Sequence, residues 1–385
     1  MKRILIVNNN MHIGGVQKSL LNFLVNLCDV YEITLVLFNP HGALLSEIPQ
    51  QVKVQSVKSA YRFLGISNQD VCGKPVLKLQ RSFWAAVTRM LGRDWAIAAM
   101  AQGQKQIGYY DVAISFLHDA SDRMFYGGCN DFVLRHVDAK KKIAFLHCDY
   151  IGCGAATPKN NARYMRFDMV AACSDGCRKS FLREVPCMAK KTHIVPNFQN
   201  YLQIQSLAAL APVELPAERM NILTVARLGK EKSITRAIKA FKDASFTNYH
   251  YYIIGDGIER SVIEQMIKFY DLEEYVSLLG EKENPYGYMA AADLMLIPSL
   301  SEAAPMVIGE AACLGTPILS TETSSAREMI EKTGFGWVCE NSTEGIAKSI
   351  ADLLSEPSKV AQKRAYLRRI TLTNDDAMSQ ILHII

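Results

Sequence analysis

The chain has 385 residues, too many for one ordinary core and suited to two domains. With 49% hydrophobic and 21% charged residues it reads as globular, which excludes a disordered or fibrous chain. A net charge of +5 suits an anionic ligand or a membrane surface and is too small to argue for nucleic acid, so no nucleic-acid partner is expected.

The opening "MKRILIVNNN" has an apolar run too short for a signal peptide, and no uncharged apolar run reaches the length of a membrane span. A cytoplasmic protein is therefore expected. "RILIVNNNMHIGGVQKSLLNFLVNL" reads as a buried strand, a Gly-containing turn and an amphipathic helix with Leu20, Leu21, Phe23, Leu24 and Leu27 on one stripe. "EITLVLF", "DVAISFL" and "KKIAFLH" are further strands. Between them, "KPVLKLQRSFWAAVTRMLGRDW" (74–95) reads as an amphipathic helix or helix pair, with Lys74, Lys78, Arg81, Arg89 and Arg93 interleaved with aromatic and aliphatic residues. Such a helix can rest on the inner face of an anionic membrane; alternatively it packs its apolar side on its own domain.

A stretch of weak period with prolines, near 198–220, reads as a linker. The alternation then restarts: "NILTVARL", "YHYYIIGDG", "VSLLG", "DLMLIPS" and "PILST" as strands, with "SITRAIKAFKDA", "ERSVIEQMIKFYDL", "PYGYMAAA", "PMVIGEAACLG" and "GIAKSIADLLS" as helices. Strands alternating with helices imply parallel βαβ units. The expected fold is α/β: two Rossmann-like, doubly wound parallel-sheet domains facing a central cleft. The expected limits are 1–200 and 201–365, with a tail helix in 366–385 packing back on the first domain. Ligands of such domains bind at the carboxyl ends of the strands.

Several residues at those ends can carry chemistry. In "TVARLGKEKS", Arg227 ends a strand and Lys232 enters a helix, a pair able to grip a diphosphate or simply a solvated turn. "IIGDGIER" lacks the full G-x-G-x-x-G, which argues against a dinucleotide site. In "PSLSEAAPMVIGEAACLGTP", Pro305 fits a helix start and Gly315 its stop, placing Glu302 just before the helix and Glu310 within it. Two carboxylates with nothing basic between them suit a vicinal diol, or else favour the helix dipole and solvent. His118 and His147 follow strands, with Asp149 two residues beyond the second. Cys148, Cys153, Cys173, Cys177 and Cys187 crowd around His147, in a spacing that reads as buried free thiols rather than a zinc site.

Taken together, these motifs resemble glycosyltransferase family 4, whose members have the glycosyltransferase B fold. "ARLGKEKS" is similar to its G-R-L-x-x-E-K-G, "IIGDGIER" to V-G-D-G-P-x-R, and "PSLSEAAPMVIGEAACLGTPILST" to its P-S-x-x-E…E-A motif with the E-x7-E spacing intact. In the first half, "IVNNNMHIGGVQKSLLNF" is similar to the family's Gly-Gly opening, and "DVAISF", "KKIAFLHCDY", "AACSDGCRKSF" and "IVPNF" to later landmarks.

The resemblance implies a retaining enzyme that needs no metal and no cofactor. It would move sugar from a nucleotide-diphosphate sugar to a glycan or lipid-linked acceptor, as in bacterial surface polysaccharide synthesis. It implies that Arg227 and Lys232 hold the diphosphate, Glu310 the ribose and Glu302 the transferred sugar. Gly14 and Gly15 would approach the phosphates or the reacting groups. Gly255, Gly280 and the run Ala303, Ala304, Pro305, Met306 and Val307 complete the donor side, with His118, His147 and Asp149 on the acceptor side. Of these, His118 would stand nearest the reaction, with Arg227, Lys232 and Glu302. Ala303 and Ala304 replace the family's Gly and bulky residue, so a different backbone path is expected there. Rival readings are an epimerase or hydrolase of the same fold, a non-catalytic partner subunit, and an NAD-dependent oxidoreductase.

Overall fold

The computed structural model describes residues 1–244 and 246–385. It divides into two compact units, 1–198 with 374–385, and 199–373.

The first unit is built on a seven-stranded sheet in the order β3-β2-β1-β4-β5-β6-β7. Its strands are β1 (Arg3–Asn8), β2 (Glu32–Leu37), β3 (Lys53–Ser56), β4 (Ile107–Ser115), β5 (Val137–Leu146), β6 (Met169–Ala172) and β7 (Thr192–Ile194). All neighbours pair in parallel. β1 is buried on both faces, which is why it reads as an unbroken aliphatic run. Leu5 and Val7 join one core, Ile4 and Ile6 the other. The final helix, Asp375–Ile384, buries Ala377, Ile381 and Ile384 in the second of these cores. Residues 366–373 stay with the second unit, where Leu367 is buried and the Tyr366 hydroxyl donates to the Thr333 carbonyl.

The second unit carries a six-stranded, all-parallel sheet in the order β10-β9-β8-β11-β12-β13. These are β8 (Met220–Val225), β9 (Tyr249–Ile254), β10 (Val276–Gly280), β11 (Leu294–Ile297), β12 (Ile318–Thr321) and β13 (Gly336–Cys339). Both sheets are doubly wound. In each, the order reverses beside the first strand of its unit, at β1/β4 and at β8/β11, where the carboxyl ends leave a crevice.

Two stretches differ from their sequence reading. The linker expected near 198–220 contains a helix, Tyr201–Leu210, which buries Ile204 and Ala208 in a core of the second unit. Its exposed Leu202 and Leu210 blur the apolar period that would have marked it. The basic stretch forms two helices, Pro75–Leu91 and Arg93–Met100. Trp84 and Val87 pack against the core. Arg93 is not on the basic face: its side chain is 2% exposed and ion-pairs with Asp119 at 2.5 Å and Asp131 at 3.1 Å. Among the described residues no helix is long and apolar enough to cross a membrane.

Candidate functional site

An open depression lies at the β8/β11 crevice, lined by the strand ends Val225, Ala226, Pro298 and Ser299 together with Lys232, Glu302 and Val307. Local bonds bring these residues together. A short 3-10 turn, Lys230–Lys232, follows β8, and its Glu231 carbonyl accepts the Leu300 N–H at 2.8 Å. Arg236 donates to the Pro298 carbonyl at 2.8 Å and to Asn341 Oδ1 at 2.7 Å, pinning the loop after β11. Lys232 Nζ then reaches Glu302 Oε1 at 2.5 Å, and the Ser299 hydroxyl donates to the same oxygen at 2.7 Å. The Lys232 and Glu302 side chains are only 24% and 11% exposed.

The two cations do not converge. Arg227 is exposed and paired with Glu231, while Lys232 is engaged by Glu302. Glu310 is buried in the helix Met306–Cys313, and its Oε1 accepts the Tyr286 hydroxyl at 3.4 Å. Met306 opens this helix after Pro305, and Val307 brings its first turn to the depression. Helix N-termini offer backbone N–H groups to anions. Ala303 and Ala304 keep negative φ: among the described non-glycine residues only Ser233 and Asp271 have positive values. The replaced glycine leaves no strain at that point of the loop. Strain appears instead at Ser233 (φ 50°), next to Lys232, where the family motif quoted above has glycine.

Gly255 has a packing reason to be glycine. Its φ is 142°, and a Cβ there would lie 1.8 Å from the Ala226 carbonyl oxygen. The residue lets the end of β9 lie against the segment carrying Arg227. Gly280 (φ 72°) accepts the Gly255 N–H at 2.9 Å.

In the first unit, Gly14 caps the helix Gly15–Leu27 just beyond β1, in an extended conformation any residue can adopt. Beyond β4 and β5 stand His118 and His147, both half-buried. Burial pushes the His118 imidazole down to about 4, against the opposing charge of Asp119. Burial and then the neighbouring His118 push His147 down to about 3, although Asn197 hydrogen-bonds to it. His147 lies beside the stacked pair Phe116 and Phe145, with ring centroids at 4.8 and 5.5 Å. Both are therefore neutral imidazoles at pH 7. His118 Nδ1 and His147 Nε2 are buried without a hydrogen-bond partner.

Asp149 is committed to its own loop, accepting the Ser180 hydroxyl at 2.5 Å and the Gly152 N–H at 3.1 Å. Below His118, Asp119 is fully buried between Arg93 and Arg163, with Asn130 donating to it at 2.9 Å. Burial raises this carboxyl, but Arg93 and then Arg163 outweigh burial and hold it below the usual carboxylate range. The cysteines are free thiols; Cys173 and Cys177 have sulfurs 3.6 Å apart.

Residues 210–370 match the family model described as glycosyl transferases group 1. The chain is 34% identical over 145 residues to the amylovoran biosynthesis glycosyltransferase AmsK of Erwinia amylovora, covering 35% of each chain. A Campylobacter jejuni protein, N-acetylgalactosamine-N,N'-diacetylbacillosaminyl-diphospho-undecaprenol 4-alpha-N-acetylgalactosaminyltransferase, is 28% identical over 182 residues, 47% of this chain and 49% of that one. The matched stretches thus span about a third to a half of these relatives' lengths. In fold, the whole chain is similar to HepE of Anabaena in complex with UDP-glucose, at a TM-score of 0.67 and 18% identity over 100% of this chain and 98% of that one. The two units thus have the glycosyltransferase B fold.

Sequence reasoning did not single out Ser299, Arg236 or Ser233, although Ser299 stands inside a quoted motif. Arg236 matters through partners distant in the chain, which no local spacing reveals.

Proposed function

We propose that this chain is a retaining, metal-independent glycosyltransferase of family 4. It transfers sugar from a nucleotide-diphosphate sugar to a glycan or lipid-linked acceptor in bacterial surface polysaccharide synthesis. The observation that carries the reading is the convergence of Lys232, Ser299 and Glu302 at the β8/β11 crevice, with the first turn of the helix Met306–Cys313 as its wall. The relatives' names and the UDP-glucose bound by HepE support it.

In this reading Lys232, with the exposed Arg227, neutralises the charge developing on the leaving diphosphate, an electrostatic contribution that is commonly large. Glu310 takes the ribose and Glu302 the sugar hydroxyls, each as an acceptor of two hydrogen bonds. The acceptor belongs to the first unit, where a neutral His118 offers a hydrogen bond without adding charge. The departing phosphate takes the acceptor's proton, so no separate base is required. A panel of nucleotide sugars, scored by thermal shift and then by product analysis, tests this. Stabilisation by one or more nucleotide sugars and not by NAD is expected; stabilisation by NAD alone overturns it.

The same reading places the helix Pro75–Leu91 on an anionic membrane. Val76, Leu79, Phe83, Met90 and Leu91 are exposed beside Lys74, Lys78 and Arg89, and no acid occurs in residues 74–93. Basic helices with an exposed apolar face bind such surfaces. Flotation with acidic liposomes at low salt should carry the protein upward; failure to float removes this part.

A further inference from the structure

Three loops of the first unit meet beside the carboxyl end of β1, and each brings one metal-ligating side chain. His12 comes from the loop after β1, His41 from the loop after β2 and Asp70 from the segment after the short helix Arg62–Gly65. His12 Nε2 lies 2.9 Å from Asp70 Oδ2, His41 Nδ1 lies 2.6 Å from Asp70 Oδ1, and the three ligand atoms all lie within 4.8 Å of one another. The Asp70 side chain is only 5% exposed.

The two carboxylate oxygens are unequally served. Oδ2 accepts from Ser67 N–H at 2.7 Å, from His12 Nε2 and from Asn39 Nδ2 at 3.3 Å. Oδ1 is buried with no hydrogen-bond partner, because His41 Nδ1, although close, is not aligned to donate. A buried anionic oxygen without a donor is costly. Two imidazoles and that oxygen can instead share a cation.

The frame is already built. Met11 N–H donates to the His41 carbonyl at 2.9 Å and Leu44 N–H to the Met11 carbonyl at 3.1 Å. Asn9 and Asn10 side chains donate to the Leu64 and Gly65 carbonyls at 3.1 and 2.7 Å. The approach is close enough that a Cβ on Gly42 would lie 2.2 Å from His12 N, and one on Gly65 2.4 Å from the Asn9 carbonyl oxygen. A cation bound here therefore meets ligands held in place rather than loops it must order.

We propose that His12 Nε2, His41 Nδ1 and Asp70 Oδ1 form a site for one divalent transition cation of the zinc class, with water in the fourth position. Imidazole with carboxylate suits zinc better than the oxygen-seeking magnesium or calcium. Zinc bonds of about 2.0–2.2 Å require only small movements from the present separations. Ligation through Nε2 requires the neutral tautomer of His12 that carries its proton on Nδ1. The site stands just ahead of Gly14 and Gly15 in the chain. This site is independent of the transfer reading, in which Lys232 and Arg227 meet the phosphates.

The test uses the full chain, stripped with a chelator and dialysed against Zn2+ alone, with zinc counted by mass spectrometry and Tm recorded. Wild type should keep about one zinc per chain with a raised Tm. His41→Ala, at an exposed position that leaves the fold intact, should lose at least about tenfold in affinity, as should Asp70→Asn. A wild type that keeps no zinc overturns the proposal. Zinc kept equally by His41→Ala also overturns it and places the metal elsewhere, for example on the free thiols.

Discussion

Replacing Lys232 by alanine should destabilise the second unit as well as disable its site. The ammonium lies 2.5 Å from Glu302 Oε1, and the two side chains are 24% and 11% exposed. Breaking a fully buried pair costs roughly 3–5 kcal/mol, because a charge is left without a partner. Here partial exposure screens the charge, and the Ser299 hydroxyl still donates to the carboxylate. The expected cost is therefore about 2 kcal/mol, which for a domain of this size lowers Tm by roughly 4–8 °C. Lys232→Met combined with Glu302→Gln removes both charges and should recover most of that loss while leaving the site without its cation. The assay is urea and thermal unfolding of wild type, both singles and the double, closed as a cycle. Additivity within about 0.5 kcal/mol would refute the claim that these residues form one coupled unit.

Acid should weaken the first unit. An unfolded imidazole takes its proton near 6.5, whereas folded His118 and His147 resist protonation until about 4 and about 3. The unfolded state thus binds more protons below pH 6.5, so their contribution is complete above that value and is lost as pH falls towards 4. The loss is on the order of 3 kcal/mol per histidine, read as a falling urea midpoint; a flat profile between pH 7 and pH 4 contradicts it. Ser233→Gly should raise stability by about 1 kcal/mol, since a φ of 50° strains any residue with a Cβ; a lower Tm would deny the strain. Gly255→Ala should cost more than about 2 kcal/mol and weaken nucleotide binding, because its Cβ would collide with the Ala226 carbonyl; unchanged calorimetric affinity would show that the contact does not support the site.

What the sequence revealed followed burial. Central strands such as β1 and β11 hold continuous aliphatic runs, and helices such as Gly15–Leu27 carry clear apolar stripes. The strands that went unread are short or lie at the edges: β3 is polar except for Val54, β6 consists of Met169–Ala172, β7 has three residues and β13 begins on glycine. The motif stretches located the β8/β11 crevice because their residues cluster in sequence at strand ends. They could not show that Lys232 is held by Glu302 while Arg227 turns to Glu231, since a charge's partner depends on the folded loop. Nor could they show Arg93 leaving the basic face for Asp119, or His12, His41 and Asp70 meeting across three loops.

The central claim is that Lys232 at the β8/β11 crevice supports sugar transfer from a nucleotide-diphosphate sugar. The most direct measurement is turnover of the nucleotide sugar that binds wild type, with a lipid-linked acceptor, by wild type and by Lys232→Met with Glu302→Gln. The account predicts a glycosylated acceptor of retained configuration from wild type and a rate lower by about a hundredfold or more in the stably folded double variant. Near-wild-type turnover by that variant would contradict it.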